Sequence, residues 1–369
     1  MKRPDFGVRL PVSGPFASVD AIRRIATRAE ALGYDCLWVY DIISQTSYQD
    51  RTHISCGSLE AVEAAGADAP PIFMESLTNL AYVAGVTSDI RIGVAVLCLP
   101  YRNPIVAAKQ VANIDVLSKG RLILGVGVGA AKTTHNVDFE VLGVSRTDKY
   151  ARTKDYLRAM IAIWTQDEPS YEGPFFSFPK TQFDPKPVQK PFPPIWVGGG
   201  GPKSVDIAAE FATGWLPPWI SADQYPARIH GLREAAVSFG RGDVDFDIGT
   251  EVYVSIAETP EGARAQAVRT LSVLPKGFNV YATPQAIEAA GLVGSPEQIV
   301  EKLVQYIEAG VTTYEMKFIY QSLDHYEEQL ELFQKHVIAV LVGEHGKSTD
   351  RISSSAQVAA VTQPSHRLP

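Results

Sequence analysis

The chain has 369 residues, of which 46% are hydrophobic and 20% are charged, and its formal net charge is −7 with a pI near 5.6. This composition is typical of a folded globular protein with a sizeable core and excludes an intrinsically disordered chain. The negative net charge gives no overall positive electrostatic potential, which argues against nucleic acid or an anionic membrane as a partner.

The cysteines and the N-terminal segment indicate the compartment. Cys36, Cys56 and Cys98 are too few, and odd in number, for a disulfide framework. The N-terminus has no apolar stretch of signal-peptide length, and no run of about 18 apolar residues occurs. We therefore expect a cytoplasmic protein that does not span a membrane. No His, Cys and Asp pattern at metal-ligand spacing is present, so a metal site is not expected.

Short apolar runs alternate with amphipathic stretches, a pattern typical of repeated βα units around a parallel sheet. The predicted strands lie at 6–10, 36–40, 91–97, 121–126, 195–197, 214–216, 247–256 and 312–318. The predicted helices lie near 19–32, 74–86, 104–117, 149–164, 202–212, 222–238, 296–309 and 324–341. Eight such strands predict a single-domain (β/α)8 TIM barrel, an α/β fold, over residues 1–343.

Three segments interrupt this rhythm and are predicted to be insertions, at about 41–71, 165–194 and 272–292. The first insertion follows the carboxyl end of a strand, and the loops after these strand ends form the active face of such a barrel. Loops of that length are usually functional or mobile. The second is rich in proline and aromatic residues and predicts a small hairpin with an extended segment. Residues 344–369 predict a tail that is mobile or docks on a partner subunit.

The segment from Ile195 to Pro202 is the most informative part of the chain. It predicts a short buried strand whose end, Gly198-Gly199-Gly200-Gly201, opens a helix. Bare backbone N–H groups at a helix N-terminus suit a phosphate. The alternative is a tight turn that needs glycine for positive φ and binds nothing.

A second glycine run, Gly125 to Gly129, permits a rival interpretation as a Rossmann dinucleotide turn. Its spacing lacks the third glycine of that motif, and the βα rhythm begins long before it. The barrel interpretation is therefore preferred.

Several ordered blocks carry a resemblance to a known family. They are Ala29–Val39, Thr87–Val96 with Arg102-Asn103-Pro104, Ser118–Gly129, Pro185–Pro202 with Gly214-Trp215, and Gly294–Gln298. Over residues 5–343 the chain resembles the luciferase-like flavin-dependent oxidoreductases. This family holds bacterial luciferase, FMN-dependent alkane and sulfonate monooxygenases, and deazaflavin-dependent dehydrogenases.

The resemblance implies a flavin at the carboxyl-terminal mouth of the barrel. Its phosphate would lie on the backbone of Gly198, Gly199, Gly200 and Gly201. Its ring would press against the end of the third strand, where family members often have a cis non-proline peptide bond. By position, that bond falls at Ala95–Val96.

Further cofactor contacts are expected from the same mouth. Gly127, Val128 and Gly129 would line it after the fourth strand, although glycine is also tolerated at a crowded strand end. Glu75 matches an acidic position common in the family and would bond the cofactor or the loop backbone. Its alternative role is a favourable charge at a helix N-terminus.

The candidate catalytic residues are Asp41, His53 and His135. Many relatives place a histidine proton donor directly after the aspartate that ends the second strand, but Asp41 is followed by Ile42. His53 and His135 lie in loops on the expected active face and are the candidate replacements, since a histidine can protonate a developing alkoxide near neutral pH. The alternative is that both are surface-loop histidines without a chemical role.

The resemblance implies an oxidoreductase that uses reduced FMN and O2 on a small apolar organic substrate such as a carbonyl compound. A separate flavin reductase and a homodimer are expected with it. One alternative is hydride transfer with the deazaflavin coenzyme F-420. The absence of a histidine after Asp41 argues against this alternative more than against the monooxygenase. The other is a non-catalytic flavin-binding barrel, against which the intact glycine run argues.

Overall fold

The computed structural model describes residues 3–14, 16–44, 72–129, 137–217, 220–271 and 291–343. The strands are β1 Asp5–Arg9, β2 Cys36–Val39, β3 Arg91–Cys98, β4 Leu122–Gly127, β5 Tyr171–Glu172, β6 Ser177–Phe178, β7 Ile195–Gly198, β8 Gly214–Leu216, β9 Asp247–Ile256, β10 Leu292–Gly294 and β11 Thr313–Phe318. The helices are α1 Val19–Ala31, α2 Ser76–Val86, α3 Pro104–Leu117, α4 Asp138–Val141, α5 Lys149–Thr165, α6 Pro202–Phe211, α7 Tyr225–Ser238, α8 Pro260–Leu271, α9 Pro296–Glu308 and α10 Leu323–Phe333.

One parallel sheet closes on itself. Its strand order is β10-β9-β11-β1-β2-β3-β4-β7-β8, and β8 also pairs with β9. The long strand β9 pairs with two strands along one edge. Its first residues pair with β8, and its last residues pair with β10. Eight strands thus form a closed ring with helices between them, which confirms the (β/α)8 TIM barrel.

The structure also contains elements that the sequence pattern did not reveal. Helix α8 follows β9, and β10 pairs in parallel with the end of β9. Strand β10 has only three residues, too few to show an alternating pattern, and it lies beside the segment predicted as the third insertion. Residues 45–71, 272–290 and 344–369, which hold most of two predicted insertions and the predicted tail, lie outside the described residues.

The hairpin predicted within residues 165–194 is confirmed. Strands β5 and β6 pair antiparallel, with Tyr171 opposite Phe178. The fully buried carboxylate of Asp155 on α5 accepts hydrogen bonds from the Tyr171 hydroxyl at 2.7 Å and from the Phe175 N–H at 3.1 Å. These bonds attach the hairpin to the barrel.

Two tryptophan rings fill the interior of the barrel. Trp38 on β2 and Trp196 on β7 lie with their ring centroids 5.6 Å apart. A Cβ atom at Gly93 would lie 2.3 Å from Trp38, and one at Gly214 would lie 2.4 Å from Trp196. Real Cβ atoms do not approach other atoms so closely, and the absent side chains therefore provide the space in which the two indoles pack.

Replacing Gly93 by alanine is expected to destabilise the protein by about 1–3 kcal/mol, because the new methyl group overpacks the barrel against Trp38. The matched control is Gly231→Ala in α7, where a Cβ meets nothing within 4 Å. That change should be neutral or stabilising by about 0.5–1 kcal/mol, since alanine favours helix. Urea unfolding of both variants measures the difference, and equal effects would contradict this packing.

Candidate active site

The end of β3 forms the centre of the barrel mouth. The Ala95–Val96 peptide bond is cis, at the position where the resemblance places one. The half-buried side chain of Val96 faces β4 and β7, since a Cβ at Gly127 would lie 2.5 Å from Val96 Cγ2 and one at Gly198 would lie 2.9 Å from Val96 Cγ1. Four predicted cofactor residues therefore meet at one place on the carboxyl-terminal rim.

The glycine run after β7 has two N–H groups available to a ligand. The Gly199 N–H donates to the Leu216 carbonyl at 3.0 Å, and the Gly199 carbonyl accepts from Trp215 Nε1 at 2.9 Å. In the described part of the chain, no acceptor lies at the N–H groups of Gly200 and Gly201. Gly201 is the N-cap of α6, so both groups lie at the positive end of that helix dipole.

Two lysines flank the same rim between β4 and β7. The Nζ atoms of Lys149 and Lys203 each lie 5.4 Å from the centroid of the Tyr150 ring. Lys149 Nζ also donates to the Gly129 carbonyl at 2.9 Å, and burial lowers the pKa of Lys149. Lys203 is exposed and follows the glycine run after Pro202, so it adds a positive charge to the first turn of α6.

Gly129 has a packing role in addition to its place at the mouth. Its φ of +79° lies in the left-handed region, and a Cβ there would lie 2.6 Å from Phe139 and 2.9 Å from the Tyr101 hydroxyl. Val128 is buried beside it. The chain after β4 therefore needs glycine at 129 for its own turn, whatever binds nearby.

Asp41 lies at the end of β2 with both carboxylate oxygens engaged. Arg102 donates two hydrogen bonds of 2.6 Å to it, one to each oxygen. The Ser76 hydroxyl adds a bond of 3.0 Å, and the Cys98 N–H adds one of 2.9 Å. A fully buried carboxylate held by four donors is suited to fix the surrounding chain rather than to exchange a proton.

Glu75 belongs to the same network. It caps α2 through a 2.7 Å bond from the Thr78 N–H, and it accepts from Arg102 at 3.1 Å. Burial favours the neutral form of Glu75, but hydrogen bonds from Thr78 and Arg102 outweigh that effect and lower the pKa of its carboxyl. The geometry thus contains the helix N-terminal role suggested for Glu75, and its contact with the cofactor stays a prediction.

His53 and His135 lie outside the described residues and remain predictions. Cys98 is half-buried, and the loss of hydration raises the pKa of its thiol, which does not favour a nucleophile.

Sequence reasoning gave no role to Arg102 or to four charged residues on the inner barrel wall. These four are Arg9, Glu251, Glu315 and Lys317. A charge at every second position of otherwise apolar strands, as in Tyr314-Glu315-Met316-Lys317-Phe318, is the signal that could have identified the wall.

Removing Arg102 as Arg102→Met should destabilise the protein by about 3–5 kcal/mol, since Asp41 would remain buried without its cation. Arg28→Met, which breaks the exposed pair with Glu331, is the control and should change stability by less than about 1 kcal/mol. Equal losses in urea unfolding would show that the Asp41–Arg102 pair does not hold this region.

Within the described ranges, none of the helices is both long and apolar enough to cross a membrane. Residues 5–313 match the family model described as luciferase-like monooxygenase.

Three individual proteins illustrate the likeness. An FMNH2-dependent dimethylsulfone monooxygenase of Pseudomonas putida is 27% identical over 297 residues, which are 72% of this chain and 78% of that protein. A phthiodiolone/phenolphthiodiolone dimycocerosates ketoreductase of Mycobacterium tuberculosis is 33% identical over 168 residues, 45% of this chain and 42% of that protein. A coenzyme F-420-dependent secondary alcohol dehydrogenase, solved with an F-420–acetone adduct, superposes with a TM-score of 0.71 at 18% identity, covering 92% of this chain and 99% of that one.

The last of these comparisons concerns the fold, and it agrees with the barrel described above. The match to the family model spans most of the chain and confirms the resemblance found in the sequence. The chain belongs to the luciferase-like monooxygenase family and is an oxidoreductase.

Proposed function

We propose that the protein is a monooxygenase that uses reduced FMN and O2 to oxygenate a small apolar organic substrate. The observation that carries this proposal is the pair of N–H groups at Gly200 and Gly201, which have no acceptor among the described residues and follow Gly198, the glycine that lies against Val96 at the mouth. The FMNH2 dependence of the Pseudomonas putida relative supports the choice of cofactor.

The residues present fit a phosphorylated flavin. A phosphate at the start of α6 would receive two backbone N–H bonds and face the charge of Lys203. The missing side chains at Gly127 and Gly198 make room for the side chain of Val96, against which the flat ring would lie. When bound, reduced flavin supplies the electrons and the reaction with O2.

The chain's own residues would bind and orient the flavin and would exclude water from it. The apolar interior beneath the mouth, which includes Trp38 and Trp196, would keep water from a bound ring. The Asp41–Arg102–Glu75 network holds the turn Leu99–Tyr101 that follows β3, and so fixes the position of Val96.

We assign Asp41 to positioning, because all four of its hydrogen bonds are received from this chain. The proton donor to the developing product oxygen is then sought in His53 or His135, in the loops after β2 and β4.

A second candidate is hydride transfer with the deazaflavin coenzyme F-420. The fold shared with the F-420-dependent alcohol dehydrogenase is consistent with it. Lys149 and Lys203 together would also suit a cofactor tail more anionic than a single phosphate.

Several further features belong to the proposal. The substrate and O2 enter at the mouth, a separate flavin reductase supplies reduced FMN, and the protein is a cytoplasmic homodimer. Residues 1–343 form one barrel domain, and residues 344–369 form a tail. Gel filtration with light scattering tests the dimer.

The proposal is tested by titrating the purified protein with FMN and with coenzyme F-420, and by following O2 consumption after photochemical reduction. Tight FMN binding with substrate-dependent O2 uptake and oxygenated product supports the monooxygenase. Binding of F-420 alone supports hydride transfer, and binding without turnover of carbonyl compounds supports a non-catalytic barrel. Binding of neither cofactor contradicts a flavin site.

Replacing Lys203 by methionine should weaken FMN binding about fivefold and leave riboflavin binding unchanged, since riboflavin lacks the phosphate that Lys203 faces. Lys180→Met is the control, because Lys180 is an exposed lysine that pairs with Glu168 in the 165–194 insertion and lies outside the glycine run and α6. A loss of affinity that is equal for FMN and riboflavin would contradict the placement of the phosphate.

A further inference from the structure

The inner wall of the barrel is chemically divided. Strands β2, β3, β4, β7 and β8 contribute an apolar cluster of Cys36, Trp38, Ala95, Ile123, Trp196 and Leu216. Strands β1, β9 and β11, which are contiguous in the sheet, contribute Arg9, Glu251, Glu315 and Lys317. In a ring of eight strands, these three lie directly across from β3, β4 and β7, which carry the expected flavin contacts.

The four charged side chains, called here the charged wall, are connected to one another. Arg9 Nε donates to Glu315, and Arg9 Nη2 lies 3.5 Å from Glu251 Oε2. Lys317 Nζ donates to the other oxygen of Glu251. Two cations and two carboxylates give the wall no net charge when all four are ionised.

The charged wall is not expected to stabilise the barrel more than apolar side chains would. Glu315 is fully buried, and its Oε2 has no hydrogen-bond partner among the described residues. Burial raises the pKa of Glu315, and burial together with Arg9 lowers the pKa of Lys317. Apolar side chains of similar volume usually stabilise a core at least as well as buried ion pairs, which favours a functional reason for the wall.

Lys317 lies where a bound substrate would meet the charged wall. It is the penultimate residue of β11, and the carboxyl ends of the strands form the mouth. Its partner Glu251 is 22% exposed although its strand position faces the barrel interior, so open space reaches this pair. Arg9 contacts both carboxylates and lies 4.9 Å from the centroid of the Tyr40 ring. Lys317 contacts Glu251 and lies 5.2 Å from the centroid of the Tyr253 ring.

We propose that Lys317 is a substrate-binding residue whose ammonium group donates a hydrogen bond to a neutral carbonyl oxygen. The substrate would lie between the charged wall and the flavin on Val96, with its hydrocarbon part against the apolar half of the barrel. A neutral oxygen is favoured because the charged wall has no excess charge to attract an anion. The inference rests on the proposed function and adds to it a residue that binds the substrate.

The test compares three probes of equal chain length, 2-heptanone, heptane and heptanoate, on the FMN-loaded protein by titration calorimetry. The wild type should bind 2-heptanone about tenfold or more tightly than heptane, as expected for a hydrogen bond to a charged donor. Lys317→Met should abolish this preference and leave heptane binding unchanged. Lys317→Arg, which keeps a charged donor, should restore part of it.

Two controls keep the outcome decisive. The double variant Lys317→Met/Glu251→Gln leaves no unpaired carboxylate and is measured if the single variant fails to fold. Lys180→Met should behave as the wild type. Retention of the ketone preference without Lys317, its absence in the wild type, or tighter binding of heptanoate than of the ketone would each overturn the inference.

The failure of this inference is distinguishable from that of the proposed function. A wild type that binds FMN but shows no ketone preference contradicts only the role of Lys317. A wild type that binds no flavin contradicts the function on which the role rests.

Discussion

The packing of Trp38 against Trp196 determines where a ligand can bind in this barrel. The two indoles occupy the interior, and glycines on neighbouring strands, Gly93 and Gly214 among them, leave the room that the rings require. A filled interior leaves the carboxyl-terminal mouth as the place for a cofactor, as is usual in TIM barrels. The site therefore depends on small residues at depth as much as on the residues at the rim.

The chemistry of the mouth follows from which strands carry which side chains. On the side where the flavin is proposed to bind, the missing side chains at Gly127 and Gly198 make room for Val96, and the glycine run continues from Gly198 to the N–H groups of Gly200 and Gly201. On the opposite side, the charged wall supplies polar groups at the proposed position of the substrate. Apolar surface for the ring and polar groups for the reacting atoms are thus held by different strands of one rigid sheet.

Much of the fold was predictable from the sequence. The eight barrel strands appear as short apolar runs, and α3 and α9 begin at capping residues, Asn103 and Ser295, each followed by proline. Strand β10 was not predictable, because three residues carry no period and its pairing depends on the excess length of β9.

The site was predictable only where a local motif encodes it. The glycine run and the Ala95–Val96 position are of this kind. The partners of Asp41 are not, because Arg102 reaches it from 61 residues further along the chain. The charged wall was missed for a related reason, since in strands buried on both faces the apolar pattern does not show which residues point inward.

The account's central claim is that backbone N–H groups at the start of α6 hold the phosphate of a flavin in the barrel mouth. A crystal structure of the protein with bound FMN tests it most directly. The account predicts phosphate oxygens within hydrogen-bond distance of the Gly200 and Gly201 N–H groups, with the ring against Val96. A phosphate bound elsewhere, or a flavin at the amino-terminal face of the barrel, would contradict it.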